Sequence, residues 1–274
     1  MDKCSQDFIK SLTPPIVLDF YRSLWNRGRF VGNYLSWEDA CQDSGNGYDS
    51  DTILENVKES LLKVKKGGGA FERDSVIFNS PSYWWPLLSG LLWVASRNGN
   101  RLNLLDFGGS LGSTYYQNKK FICHLDELKW NIVEQGRFVE CGKLQFENEH
   151  IKFYFDIDEC IRHRNPDAIL FSGVIQYLEK PFDLLEEILD KGFSQIIFDR
   201  TPFLTNGNND RLTVQKVPHH HNIRYPAWFF NLDKFLDFFS VKYELIAAFD
   251  SMENFSSLDV SATSKGFIFE KKAE

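Results

Sequence analysis

Asp106, Gly108, Gly109, Ser110 and Gly112 stand within one short stretch, Asp-x-Gly-x-x-x-Gly, and Ser113-Thr114-Tyr115-Tyr116-Gln117 follows directly. Glycine has no Cβ and adopts positive φ without penalty, so such a stretch lets backbone pass close to a ligand. The residues before it, Leu102 to Phe107, form an apolar run without proline and read as a buried strand. The polar run after it reads as the start of a helix whose first amides face that ligand. Strand, glycine turn and helix form the nucleotide-gripping corner of a doubly wound α/β sheet; a plain glycine turn joining any strand to any helix is the alternative. A dinucleotide fingerprint G-x-G-x-x-G fits at Gly109 and Gly112 but has Phe107 at its first position. No Gly-Lys-Ser/Thr follows, which excludes a Walker loop.

Other residues of the right type stand where strands are expected to end. Glu134 closes the second strand, 130–135, and a carboxylate there would accept hydrogen bonds from both hydroxyls of a ribose, or be a solvated strand terminus. Asp156, after Phe155, closes the third strand, 152–157, and is either a ligand contact or a helix cap. Asp199-Arg200-Thr201-Pro202 ends the fifth. There Arg200 either pairs with Asp199 or grips an anionic group of a second substrate. His219, His220 and His221 are consecutive, so they cannot all turn to one metal ion. One of them, His219 or His220, could deprotonate an acceptor hydroxyl; a solvated loop is the plainer reading. Tyr225 and Trp228 either wall an acceptor site or pack in the core.

The elements that must position these residues follow from the rest of the chain. At 274 residues, with 43% hydrophobic and 25% charged residues, the composition is that of an ordinary globular protein. A net charge of −7 and the lack of a basic block argue against a nucleic-acid partner. No apolar run is long enough for a bilayer, MDKCSQDFIK lacks the apolar core of a signal peptide, and the five cysteines are scattered without a C-x-x-C pair. A reduced, cytoplasmic enzyme without a zinc site is expected. Val17, Phe20, Tyr21, Leu24 and Trp25 make an amphipathic stripe. Ser36 with Asp39 marks a helix start, and Ile53, Leu54, Val57, Leu61 and Leu62 form the next stripe. Lys65-Lys66-Gly67-Gly68-Gly69 reads as a hinge or mobile loop. Residues 83–95 read as a buried helix with Pro86 in its first turn. These give a helical cap over 1–78 and a main domain over 79–274. From Leu102 strands and helices alternate, which implies a mainly parallel sheet. Residues 204–226 lack periodicity and read as an ordered loop or lid, and Asn231 caps a helix. The last two strands pair as an antiparallel hairpin.

The stretch from Asp106 to Gly112 resembles the first motif of the class I S-adenosylmethionine-dependent methyltransferases, with Ser110 where that motif often has glycine. FSGVIQYLEKPFDLLEEIL resembles the family's fourth strand and the turn after it, with Gln176 where relatives often carry histidine. The resemblance covers about 80–274. The pattern Gly32-x-Tyr34-x-x-Trp37-x-x-Ala40, with VEQ, IQYL, FDRTP and VQKVP, extends it to methyltransferases encoded among bacterial surface-polysaccharide synthesis genes. It implies a Rossmann-like, doubly wound, seven-stranded, mainly parallel sheet with an antiparallel C-terminal strand. It also implies S-adenosylmethionine held by Asp106, Gly108, Gly109, Ser110, Gly112, Glu134, Phe155 and Asp156 (these last two at the adenine), with Ser172 and Gly173 along the methionine side. Gln176 and Tyr177 would face the reacting methyl, and an amide cannot act as a base near neutral pH. Gln176, Arg200 and Tyr225 would meet a sugar or glycan acceptor, and His219, His220 and Tyr177 would carry the catalysis. Two rivals stay open: a non-catalytic scaffold on the same fold, and an NAD-dependent oxidoreductase.

Overall fold

The computed structural model describes residues 30–45, 50–73, 75–80, 82–207, 209–216, 224–251 and 261–273. The amphipathic stripe at Val17–Trp25 and the histidines 219–221 lie outside them. In chain order the elements are β1 (Phe30–Tyr34), α1 (Trp37–Ser44), α2 (Ser50–Lys65), β2 (Phe71–Arg73), β3 (Val76–Phe78), α3 (Trp85–Arg97), β4 (Arg101–Phe107) and α4 (Ser113–Ile122). There follow β5 (Glu127–Val133), α5 (Gly136–Gln145), β6 (Ile151–Tyr154), α6 (Ile157–Arg164), β7 (Ala168–Ser172), a 3-10 turn (Ile175–Tyr177), α7 (Pro181–Lys191) and β8 (Gln195–Leu204). The chain closes with β9 (Arg211–Lys216), β10 (Arg224–Asn231), α8 (Leu232–Ser240), β11 (Tyr243–Asp250) and β12 (Ala262–Lys271).

β4 lies at the centre, with β5 and β7 parallel on either side and β6 and β8 parallel beyond them. β12 pairs antiparallel with β8, and β11 antiparallel with β12. The main sheet is therefore β6-β5-β4-β7-β8-β12-β11, as the methyltransferase resemblance implied: parallel except for the C-terminal strand. Side chains alternate across it, as a pleated strand requires. Leu102, Leu104, Trp130, Ile132, Leu170 and Ile197 pack on one face against Leu91, Val94, Tyr115 and Val139. Leu105, Ile169, Phe171, Ile196 and Phe198 pack on the other, against Leu185, Ile188, Phe235 and Phe239. Burial on both faces is why these strands read as continuous apolar runs.

Three features depart from expectation. Residues 204–226 are not a loop throughout. β8 runs on to Leu204, where Phe203 and Leu204 pair with Phe230 and Asn231 of β10. β10 pairs with β9, and β9 with β1, as an antiparallel annex at the carboxyl edge of the sheet. The strands were hidden because the annex buries polar residues that find partners: Thr213 Oγ1 donates to the Ala227 carbonyl at 2.8 Å, and Tyr177 Oη to Gln215 Oε1 at 2.9 Å. Second, the helix after Tyr83 is buried on one side only, since Trp85 at its start remains more than half exposed. Third, the expected hinge is a tight stop to α2: the Gly67 and Gly68 amides donate to Val64 and Lys63 carbonyls at 2.9 and 2.8 Å. The chain then enters the β2–β3 hairpin, whose Phe71 and Phe78 rings stack 4.6 Å apart. Ser36 and Asn231 cap α1 and α8 as expected, accepting from the Asp39 and Lys234 amides. No helix among the described residues is long and apolar enough to cross a membrane.

Candidate functional site

In an open α/β sheet, ligands enter the crevice outside the carboxyl ends of the strands where the strand order reverses. Here the chain winds outward from β4 through β5 and β6, then returns to β7 and β8 on the other side, so the crevice lies between β4 and β7. Each strand ends there in a positive-φ glycine, Gly108 (φ 69°) and Gly173 (φ 70°). The two turns touch: a Cβ on Gly108 would fall 2.4 Å from Val174 Cγ2. Only glycine fits at position 108, on grounds of both conformation and space. Ser110 also has positive φ (53°), and Gly112, at φ 97°, is the left-handed N-cap of α4. The first amides of α4 thus open toward the crevice.

Asp106 lies beneath this loop, 1% exposed, with its Oδ2 accepting from Trp130 Nε1 at 2.9 Å. Burial lifts its pKa to about 7. The Trp130 hydrogen bond and the charge of Arg200 pull it down, and the charge of Glu134 pushes it up. A Cβ on Gly109 would meet the Asp106 carboxylate at 2.5 Å, so the second glycine leaves room for this acid. Glu134, at the end of β5, is half-buried; burial raises its pKa, and the backbone N–H groups of Gln135 and Ser110 oppose that. The Gln135 amide donates to Glu134 Oε2 at 2.6 Å. Glu134 therefore bridges the end of β5 and the glycine loop.

Further along the edge the sites separate. Asp156 is the N-cap of α6, its Oδ1 accepting from the Glu159 amide at 2.6 Å, while Glu159 Oε2 accepts from the Phe155 amide at 2.8 Å. The first of these bonds is the capping alternative. Phe155 is half exposed beside it, with Lys143 Nζ 4.5 Å from its ring centre. Across the crevice, Arg200 (φ 54°) donates from Nη2 to the Ser172 carbonyl at 2.9 Å and from Nε to Ser172 Oγ at 3.3 Å. Its Nε is 4.0 Å from Asp199, so the expected pairing is present but long. Gln176 is 1% exposed, and its Nε2 donates to the Arg200 carbonyl at 3.3 Å. Its Oε1 is buried without a partner. Tyr177 lies edge-on to Tyr225 at 5.0 Å, while Trp228 donates to the Leu178 carbonyl at 3.1 Å and stacks near Trp37.

Asp106, Gly108, Gly109, Ser110, Gly112, Glu134, Ser172, Gly173, Gln176 and Arg200 thus meet around one crevice. Tyr177 and Tyr225 join the annex beyond it, and Phe155 and Asp156 lie at the end of β6. Two carboxylates act as anchors through partners the sequence did not indicate. Asp199, buried in the middle of β8 opposite Ser172 at the end of β7, accepts from Trp84 Nε1 at 3.1 Å, Ser251 Oγ at 3.0 Å and Ser172 Oγ at 3.2 Å. Glu72 of β2, also buried, accepts from Ser113 Oγ at the start of α4 and from the Ser75 amide. No local pattern marks either, because each carboxylate meets its partners through the tertiary fold. Among the described residues no cluster of His, Cys, Asp or Glu could hold a metal ion.

No family model matches the chain, and no curated protein does. Among solved structures, the chain is similar to the N-terminal domain of EvdMO1 in the presence of SAH and D-fucose (13% identity, 83% of this chain, 100% of that one, TM-score 0.47). It is also similar to the 1,6-didemethyltoxoflavin-N1-methyltransferase of Burkholderia thailandensis (9%, 84%, 93%, TM-score 0.43). A third is the magnesium protoporphyrin IX methyltransferase of Synechocystis PCC 6803 (10%, 69%, 79%, TM-score 0.43). At such values the likeness is remote, and the chemistry must be argued from this chain's own residues.

Proposed function

We propose that the chain is an S-adenosylmethionine-dependent methyltransferase that acts on a sugar or surface-polysaccharide precursor, on oxygen. The observation that carries the reading is the acidic crevice between β4 and β7. Two glycine turns leave backbone open there, with the Glu134 carboxylate at the β5 side and Asp199 4.0 Å from the Arg200 guanidinium at the other. A carboxylate at Glu134 suits the hydroxyls of a ribose, and the open backbone beside it suits the rest of an adenosyl group. The sheet order speaks against the dinucleotide alternative: a nicotinamide-binding sheet continues 3-2-1-4-5-6 in parallel, whereas here β12 inserts antiparallel beside β8.

In this reading Glu134 accepts from the ribose hydroxyls, held in place by the Ser110 and Gln135 amides. Gly108, Gly109, Ser110 and Gly112 supply backbone at the adenosyl group, and Asp106 shapes the loop from below. Phe155 and Asp156 flank the adenine, with Asp156 capping α6 at the same time. Ser172 and Gly173 line the methionine end. When bound, the cofactor supplies an already activated methyl group. The protein's own task is alignment and exclusion of water. Tyr177, Gln176 and Tyr225 orient the acceptor, and His219 or His220 takes the proton of its hydroxyl.

The test is titration calorimetry with S-adenosylmethionine and S-adenosylhomocysteine on the wild type and on Glu134→Ala. The reading expects binding by the wild type and a clear loss in the variant. Lack of binding by the wild type refutes it. Incubation of extracted glycans with methyl-labelled cofactor, followed by mass spectrometry, then separates an enzyme from a scaffold.

A further inference from the structure

Arg200 occupies the crevice in an unusual way. It is a non-glycine residue with φ of 54°, a left-handed conformation that costs a side chain about 1 kcal/mol or more. Gln176 Nε2 holds its carbonyl from behind. Its guanidinium lies against Gly173, whose missing side chain makes the room: a Cβ there would fall 3.1 Å from Arg200 Cζ. From this position it donates to the Ser172 carbonyl. The end of β7 therefore already holds a cation on a backbone carbonyl, at the point where the sheet order reverses.

A ligand gripped at Glu134 on β5 that crosses the glycine loop of β4 ends over Ser172 and Gly173. If that ligand is the cofactor of the proposed function, on which this inference rests, the end that arrives carries an ammonium group beside a carboxylate. A guanidinium already seated on that carbonyl repels a second cation brought to the same acceptor. We infer that Arg200 is a stand-in for the cofactor's ammonium group and must leave the Ser172 carbonyl for that group to bind. Arg200 is then a specificity-determining residue, because only a ligand that brings its own donor compensates the carbonyl that Arg200 gives up.

The test compares two ligands on three proteins by calorimetry, with folding checked by circular dichroism. S-adenosylhomocysteine carries the ammonium group and a carboxylate beside it; methylthioadenosine keeps the adenosyl part and lacks both. Arg200→Met removes the competing cation, and Arg200→Lys keeps one. The expected result is that Arg200→Met binds S-adenosylhomocysteine about tenfold more tightly than the wild type, the worth of one charge-assisted hydrogen bond that no longer has to be broken. Methylthioadenosine should bind both alike, and Arg200→Lys should not tighten S-adenosylhomocysteine. Equal or weaker binding of S-adenosylhomocysteine by Arg200→Met overturns the inference while the cofactor reading stands. An equal gain for both ligands overturns it too. If neither wild type nor variants bind either ligand, the cofactor reading fails and takes the inference with it.

Discussion

Replacing Asp106 by asparagine should change how stability depends on pH. The carboxyl is buried beneath the glycine loop, and its pKa rises from 3.8 to about 7 on folding. A carboxyl with a raised folded pKa favours the native state when protonated. Its contribution is complete below the unfolded value and is lost as pH climbs through the folded one. The full window spans about 3 pH units, or about 4 kcal/mol at about 1.4 kcal/mol per unit. Asparagine keeps an oxygen for Trp130 Nε1 but carries no charge, so the variant lacks this slope. Urea unfolding of both proteins from about pH 5 to about pH 7 should therefore show the wild type losing about 2–3 kcal/mol relative to Asp106→Asn. Contributions from groups far from Asp106 cancel in that difference. Parallel curves across this range would refute the raised pKa of Asp106 in the folded protein. A divergence of the opposite sign would mean that the field of Arg200 outweighs burial.

Three further outcomes follow from the same geometry. Gly108→Val must place a branched side chain at φ 69° and drive a Cβ to 2.4 Å from Val174 Cγ2, so denaturant melts should show a loss of about 2–5 kcal/mol. Glu134→Gln should weaken S-adenosylhomocysteine at least about tenfold in calorimetry. Because burial raises the Glu134 pKa, wild-type affinity should also start to fall on acidification before an ordinary glutamate would protonate. Trp84→Phe leaves the buried Asp199 one donor short, and a thermal melt should register about 1–2 kcal/mol of destabilisation.

The main sheet was legible because its strands are buried on both faces and separated by glycine turns and amphipathic helices. Leu102 to Phe107 and Ala168 to Ser172 could hardly read otherwise. Caps were legible too, since Ser36 and Asn231 act within three residues of themselves. The annex was not, because Thr213 and Gln215 look like loop residues until Ala227 and Tyr177 are placed across from them. The crevice shows the same division. The Asp106–Gly112 loop and Glu134 announce themselves by position after a strand. Trp84, Glu72 and Ser251 contribute through contacts across the fold, which spacing cannot encode. Asp156 was ambiguous between a cap and a ligand contact, and its side chain does cap α6.

The pairing of β1 with β9 has a consequence for how the chain assembles. Arg211 donates from Nε to the Gly32 carbonyl across a sequence separation of 179 residues. Strand Phe30–Tyr34 is made well before β9 and must wait for that neighbour to exist. Closing so large a loop adds little to its equilibrium cost but delays contact formation. The edge formed by β1 should therefore dock late in folding and open first when the native protein fluctuates, with its amides exchanging before those of β4.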